Sequence, residues 1–147
     1  MPVVRNPQFN FREGFCWILT LNESSEYQKA RIKEKTVNDV NAMALYTFAD
    51  CEEYLKFFIC LINSYSIFQF KRNFISSNSA FQINDARQLP IIIPTKTELQ
   101  NFNRIFDEAY KIKKQQFSSA ISEKKADELL QPIQEKLDKL VEALYCI

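Results

Sequence analysis

Up to about residue 95, apolar and polar positions alternate over short runs separated by polar loops. Beyond it, apolar residues recur every three or four positions along two long segments. The run at residues 15–20, Phe-Cys-Trp-Ile-Leu-Thr, is aromatic and β-branched and predicts a strand buried around Trp17. Residues 40–48 alternate loosely enough for another strand, with a turn at 37–39 before it. Asp50 with Glu53 three residues on resembles a capping box, and predicts a buried helix over 51–64. Residues 67–75 alternate again, sending Phe68, Phe70 and Phe74 inward and Gln69, Lys71 and Asn73 outward as a strand would. Phe81 and Ile83 suggest a short strand, Asn84-Asp85 a turn, and Ile91-Ile92-Ile93, bracketed by Pro90 and Pro94, a buried or edge strand.

After Pro94, Thr95 and Glu98 form a second capping box. Leu99, Phe102, Phe106, Ala109 and Ile112 then line one face of a helix reaching about Phe117. A second amphipathic segment, residues 122–145, carries Ala126, Leu130, Ile133, Leu137, Leu140 and Leu144 on one face, with a kink or break expected at Pro132. The fold class is therefore α+β: a small mixed sheet lobe with a buried helix over residues 1–95, then two long amphipathic helices over 96–147. At 147 residues and 46% apolar content the chain supports one core, so the two parts form one unit.

Charge adds one feature that hydropathy does not. Lys29, Arg31, Lys33 and Lys35 occupy alternate positions, so an extended chain puts all four on one face; a solvated strand face and an anion-binding stripe are equally good readings of that pattern. The net charge of +1 decides nothing, because phosphate binding depends on where charge sits. On the helical tail, Lys124, Lys125, Lys136 and Lys139 are interspersed with Glu123, Asp127, Glu135 and Asp138, which suits packing against a partner helix, within the chain or across a dimer. No run approaches the roughly 20 apolar residues of a membrane span and no signal peptide opens the chain, so the expected setting is cytoplasmic, away from membranes.

Composition removes whole classes of chemistry. With no histidine there is no Ser-His-Asp or Cys-His centre, and with one glycine there is neither a P-loop nor a dinucleotide fingerprint. The cysteines, Cys16, Cys51, Cys60 and Cys146, lack the paired spacing of a zinc site and read as buried thiols. Glu123-Lys124-Lys125 matches a short nuclease pattern, but in a helical segment where such a match is fortuitous. No metal, no cofactor and no catalytic constellation are expected. The single glycine, Gly14, ending the polar stretch at residues 5–14, suggests a turn of positive φ.

Three segments in order carry a family pattern: Leu61-Ile62-Asn63-Ser64; Phe81-Gln82-Ile83-Asn84-Asp85-Ala86-Arg87-Gln88-Leu89-Pro90-Ile91 before Ile-Pro-Thr; and Leu137-Asp138-Lys139-Leu140-Val141-Glu142-Ala143-Leu144-Tyr145. From about Phe11 onward the chain resembles the C-terminal target-recognition (specificity) region of bifunctional type II restriction-modification methyltransferases, of the type IIG kind. It is also similar to type I restriction specificity subunits and to phage-defence methyltransferases. The resemblance implies a lobe that reads base edges in double-stranded DNA, helices that pack against a methyltransferase or nuclease domain or subunit, and an adenine modified elsewhere. The chain has neither an Asn-Pro-Pro-Tyr motif nor a glycine-rich S-adenosylmethionine loop, so the resemblance implies a non-catalytic part. The expected DNA contacts are Arg12, Lys29, Arg31, Lys33, Lys35, Gln69, Lys71, Arg72, Asn73 and Asn78, most of them to phosphate. The alternative is a protein-protein interaction module that docks through its C-terminal helices.

Overall fold

The computed structural model describes residues 7–22, 24–37 and 42–147. A 3-10 turn at Pro7–Phe9 leads into strand β1, Gly14–Ile18, followed by β2, Ala30–Lys33, and β3, Ala42–Leu45. Both outer strands pair antiparallel with β1 in the order β2-β1-β3, Trp17 lying opposite Ala30 and Met43. The expected strand at 40–48 is thus seen as β3; residues 38–41 lie outside the described part. A 3-10 segment at Ala49–Tyr54 runs into helix α1, Leu55–Ile62. The N-cap position of the 3-10 segment is Phe48, so Asp50 lies within the first turn of that segment.

Alternation sends Phe15 and Trp17 from β1, Ala30 and Ile32 from β2, and Met43 and Leu45 from β3 to one face, which packs on α1. There Phe15 stacks on Phe58 at 6.1 Å, and the Trp17 indole donates its Nε1–H to the Phe81 carbonyl at 2.8 Å. Behind α1 lies α4, Lys96–Phe117, reached through an edge-on pair of Phe57 and Phe102 at 5.1 Å. Helix α5, Glu123–Tyr145, packs along α4 within the chain and adds Leu137 and Val141 to the same core. Lobe and helices share one hydrophobic cluster, in which burying each large side chain contributes about 1.5–3 kcal/mol.

The C-terminal helices begin where their caps predict. Thr95 Oγ1 accepts from the Glu98 N–H, and Glu98 Oε2 accepts from the Thr95 N–H and hydroxyl, both at 2.7 Å. Ser122 caps α5 through the Lys125 N–H. The expected break at Pro132 is absent: α5 is one helix across it, because Ala126, Ile133, Leu137 and Val141 keep one buried face on both sides of the missing N–H. Glu123, Lys124 and Lys125 form the first turn of this helix.

Three expected strands are not strands. Residues 65–75 form helix α2, Tyr65–Phe70, continued by a π-helical turn, Lys71–Ile75. Ser64 caps α2 by accepting from the Ile67 N–H at 3.3 Å, and Ile67 is buried, whereas Phe74 is 77% exposed and never enters the core. Ile67 and Phe70 are three residues apart, a spacing that puts both on one face of a helix but on opposite faces of a strand. Ile83 opens a single helical turn, α3, Ile83–Ala86, in which Asp85 accepts from the Gln82 N–H; Asn84-Asp85 is part of it. Ile91, Ile92 and Ile93 are extended but unpaired and exposed, since prolines at both ends interrupt any ladder.

The three segments that carry the family pattern meet in space. The Asn63 carboxamide donates to the Ala30 carbonyl at 2.9 Å and accepts from its N–H at 2.6 Å, completing the edge of β2 as a neighbouring strand would. Asp138 on α5 accepts from the Tyr65 N–H at 2.8 Å and from Gln134, whose amide also donates to the Asn63 carbonyl at 3.1 Å. Near the end of α5, the Tyr145 hydroxyl donates to the Pro90 carbonyl.

Hydrogen bonds from the Thr95 hydroxyl, then from its backbone N–H, hold the Glu98 carboxyl below its ordinary value of 4.5. A carboxylate depressed in the folded state contributes stability above its unfolded pKa and loses it as pH falls through the folded one. The stability difference between wild type and Glu98→Gln is therefore expected to favour wild type near neutrality and to shrink as pH drops below 4.5. Urea denaturation of both proteins across that range measures it.

Candidate nucleic-acid interface

The same alternation that buries Phe15 and Trp17 turns Gly14, Cys16 and Ile18 to the opposite face of the sheet, with Arg31 and Lys33 from β2 and Ala44 from β3 beside them. Lys29 immediately precedes β2, and its carbonyl accepts from the Ile18 N–H at 3.3 Å. Lys29, Arg31 and Lys35 are exposed. The floor of this face is Cys16 and Ala44 with the half-exposed Ile18 beside them, and at one end an aromatic pile rises from it. Phe9 and Tyr46 stack at 5.2 Å with 20° between their planes, and the Arg12 guanidinium carbon lies 5.5 Å from each ring centroid.

Gly14 makes that pile possible, and not by a turn. No glycine here has positive φ, so the expected left-handed role does not apply. A Cβ at Gly14 would stand 2.4 Å from the Leu45 carbonyl oxygen and 2.9 Å from Tyr46 Cδ1. Close approach of β3 and of the tyrosine ring is what requires glycine. Burial raises the Tyr46 phenol pKa, with the Arg12 cation acting in the opposite direction.

Two of the expected phosphate contacts are instead built into the fold. Lys33 is 3% exposed; its ammonium donates to the carbonyls of Arg12 at 2.7 Å and Glu34 at 3.3 Å and sits 5.3 Å from the Tyr46 ring centroid. Lys71 is 6% exposed, lies with Gln28, Ile62, Ile67, Phe68 and Phe81, and donates to the Asn78 carbonyl. Desolvation lowers its pKa, with Asp85 acting in the opposite direction. The carbonyls accept what water no longer can, so each lysine ties a loop and neither presents its charge to a ligand.

The remaining expected contacts fall into two groups. Arg12, Lys29, Arg31 and Lys35 lie on the outer face of the sheet or at its ends. Gln69 is half-buried on α2, Arg72 and Asn73 are exposed on the π-helical turn, and Asn78 is exposed in the loop that runs beside Leu21 and Thr20. Helical geometry therefore replaces the single polar strand face expected for 69–73. Sequence reasoning missed the exposed aromatics: Phe9, Phe11 and Phe48 give no periodic signal.

Cysteine placement agrees in part with the expectation. No disulfide is present; Cys16 and Cys60 are buried, Cys51 is half-buried, and Cys146 is exposed. Burial, then the nearby Asp107 charge, pushes the Cys60 thiol up to about 12, so it stays protonated. Among the described residues no group of His, Cys, Asp or Glu could hold a metal ion, and no helix is long and apolar enough to cross a membrane. No family model, curated protein or solved structure matches this chain.

Gly14→Ala is expected to destabilise the fold by about 1–3 kcal/mol, the usual cost of overpacking. Adding Tyr46→Ala should fail to restore stability, because the shorter contact is with backbone. Denaturant midpoints of the two variants test this.

Proposed function

We propose that this chain is the non-catalytic specificity part of a restriction-modification system of the adenine-methyltransferase kind, binding double-stranded DNA with the outer face of its sheet. The observation that carries this reading is the collection of Arg12, Lys29, Arg31 and Lys35, all exposed, on or at the ends of one face of the sheet. A smooth cationic surface suits a phosphate backbone, since each phosphate neutralised releases condensed counterions. Arg72, Asn73 and Asn78 supply donors and acceptors of the kind that read base edges, with Gln69 beside them. The family pattern adds the partner: a methyltransferase or nuclease domain or subunit that performs the chemistry.

A second reading has its own support. Ile91, Ile92 and Ile93 form an exposed apolar strip next to the point where Tyr145 of α5 holds Pro90. An interaction module would dock a partner there, and under the first reading the same strip would face the catalytic domain.

Anisotropy titration of mixed-sequence duplexes at low salt tests the first reading. Lys29→Glu and Arg31→Glu are each expected to weaken binding several-fold and to reduce the salt slope by about 1. Lys33→Glu and Lys71→Glu should instead unfold the lobe, seen as lost thermal transitions, because each would bury a carboxylate against carbonyl oxygens. Absence of binding, or binding indifferent to Arg31→Glu, would leave the docking module as the better account.

A further inference from the structure

Phe11 combines two properties that do not serve the fold. Its backbone is left-handed, with φ 58, a conformation that bulky residues seldom adopt. Its side chain is 65% exposed and is absent from the hydrophobic core cluster. Its backbone is nonetheless tied in: its N–H donates to the Thr36 carbonyl at 3.4 Å, and the next residue, Arg12, lies over the stacked Phe9 and Tyr46 rings. A second phenylalanine, Phe48, is 80% exposed just beyond β3. Alternation separates the charges at this end of the sheet: Arg12 shares the outer face with Tyr46, whereas Glu13 and Glu34 fall on the parity of Phe15 and Ile32, toward the other side.

We propose that Phe11 is a stacking residue, its ring taking the face of a nucleobase that has left the helical stack while Arg12 and Lys35 hold the flanking phosphates. This rests on the DNA-binding reading and deepens it by assigning one residue to a distorted or unpaired base. A base fits the site chemically because every nucleobase offers an apolar π-face joined to an anionic backbone, and the chain offers an exposed ring at Phe11 followed directly by the exposed Arg12. A phenyl ring, with only two rotatable bonds, loses little freedom on stacking. Mismatched bases leave the stack most easily, so they are the preferred ligand.

Phe11→Trp supplies the probe, since the natural Trp17 is only 1% exposed and is shielded from DNA. Mixed-sequence duplexes with or without one central mismatch are titrated into this variant, Phe11→Ala and Phe11→Gly. Stacking predicts quenched emission from the introduced indole, stronger with the mismatch, and about tenfold weaker binding for the alanine and glycine variants. Phe11→Gly should nonetheless melt no lower than wild type, because glycine adopts φ 58 without strain. Duplex binding with unchanged indole emission and affinities within twofold of wild type overturns the stacking role alone. Absence of duplex binding by wild type overturns both this role and the DNA reading. Emission that changes with protein concentration in the absence of DNA assigns the ring to a contact between copies, and overturns it too.

Discussion

The packing of Phe15 and Trp17 on α1 is the constraint from which the rest of the lobe follows. A three-stranded sheet has two faces and the chain has one hydrophobic core, so only one face can join that core. The Trp17 hydrogen bond to the Phe81 carbonyl and the contact of Phe15 with Phe58 fix which face that is. A slip of one residue would turn Cys16 and Ile18 inward and leave an indole without its acceptor. Once the parity of β1 is set, antiparallel pairing sets that of β2, and Arg31 has nowhere to point but outward. The cationic face is a consequence of core packing.

Helix α5 supplies the second constraint. It contributes to the core through Leu137 and Val141, but its polar residues do as much to position the lobe. Asp138 accepts at both oxygens, from the Tyr65 N–H and Gln134 on one and from the Tyr27 hydroxyl at 3.4 Å on the other. Through Gln134 and Asn63 this network reaches the edge of β2, so α5, the α1–α2 corner and the sheet move as one body. The segments that prompted the family comparison are these joints. Asn63, Asp138, Tyr145 and Phe81 hold the lobe together, which separates the residues that carry the resemblance from those proposed to touch DNA.

Where a single physical signal dominated, the sequence could be read directly. The long amphipathic period located α4 and α5, with the Thr95–Glu98 box marking the start of α4, and the aromatic, β-branched run located β1. The outward parity of Lys29 to Lys35 was legible, but the burial of Lys33 was not, because it depends on the Arg12 carbonyl and the Tyr46 ring arriving from elsewhere. Residues 67–75 satisfied periods of both 2 and 3.6, and the arbiter was Ser64, a helix-capping residue just upstream. The Ile91 to Ile93 run looked like a strand by composition; its flanking prolines were the better evidence. Gly14 was noticed for the wrong property: the absence of a Cβ mattered, because Leu45 and Tyr46 occupy the space that one would fill.

Burial of Lys33 and Lys71 also bounds how the proposed activity can work. Five of the proposed cationic contacts remain, Arg12, Lys29, Arg31, Lys35 and Arg72, and at about 0.9 counterions released per phosphate they give a salt slope of about 4.5 at most. Such a slope is modest for a protein expected to select a site in physiological salt. Under the proposed reading, specificity must therefore draw on short-range contacts, such as the polar residues of the π-helical turn and the Phe11 ring, and affinity on a partner that adds its own phosphate contacts. The rigid coupling of α5 to the sheet edge suits that division: a partner docked on the helices or on Ile91 to Ile93 would fix the orientation of the cationic face, because the Asn63 and Asp138 joints leave no loose linker between them.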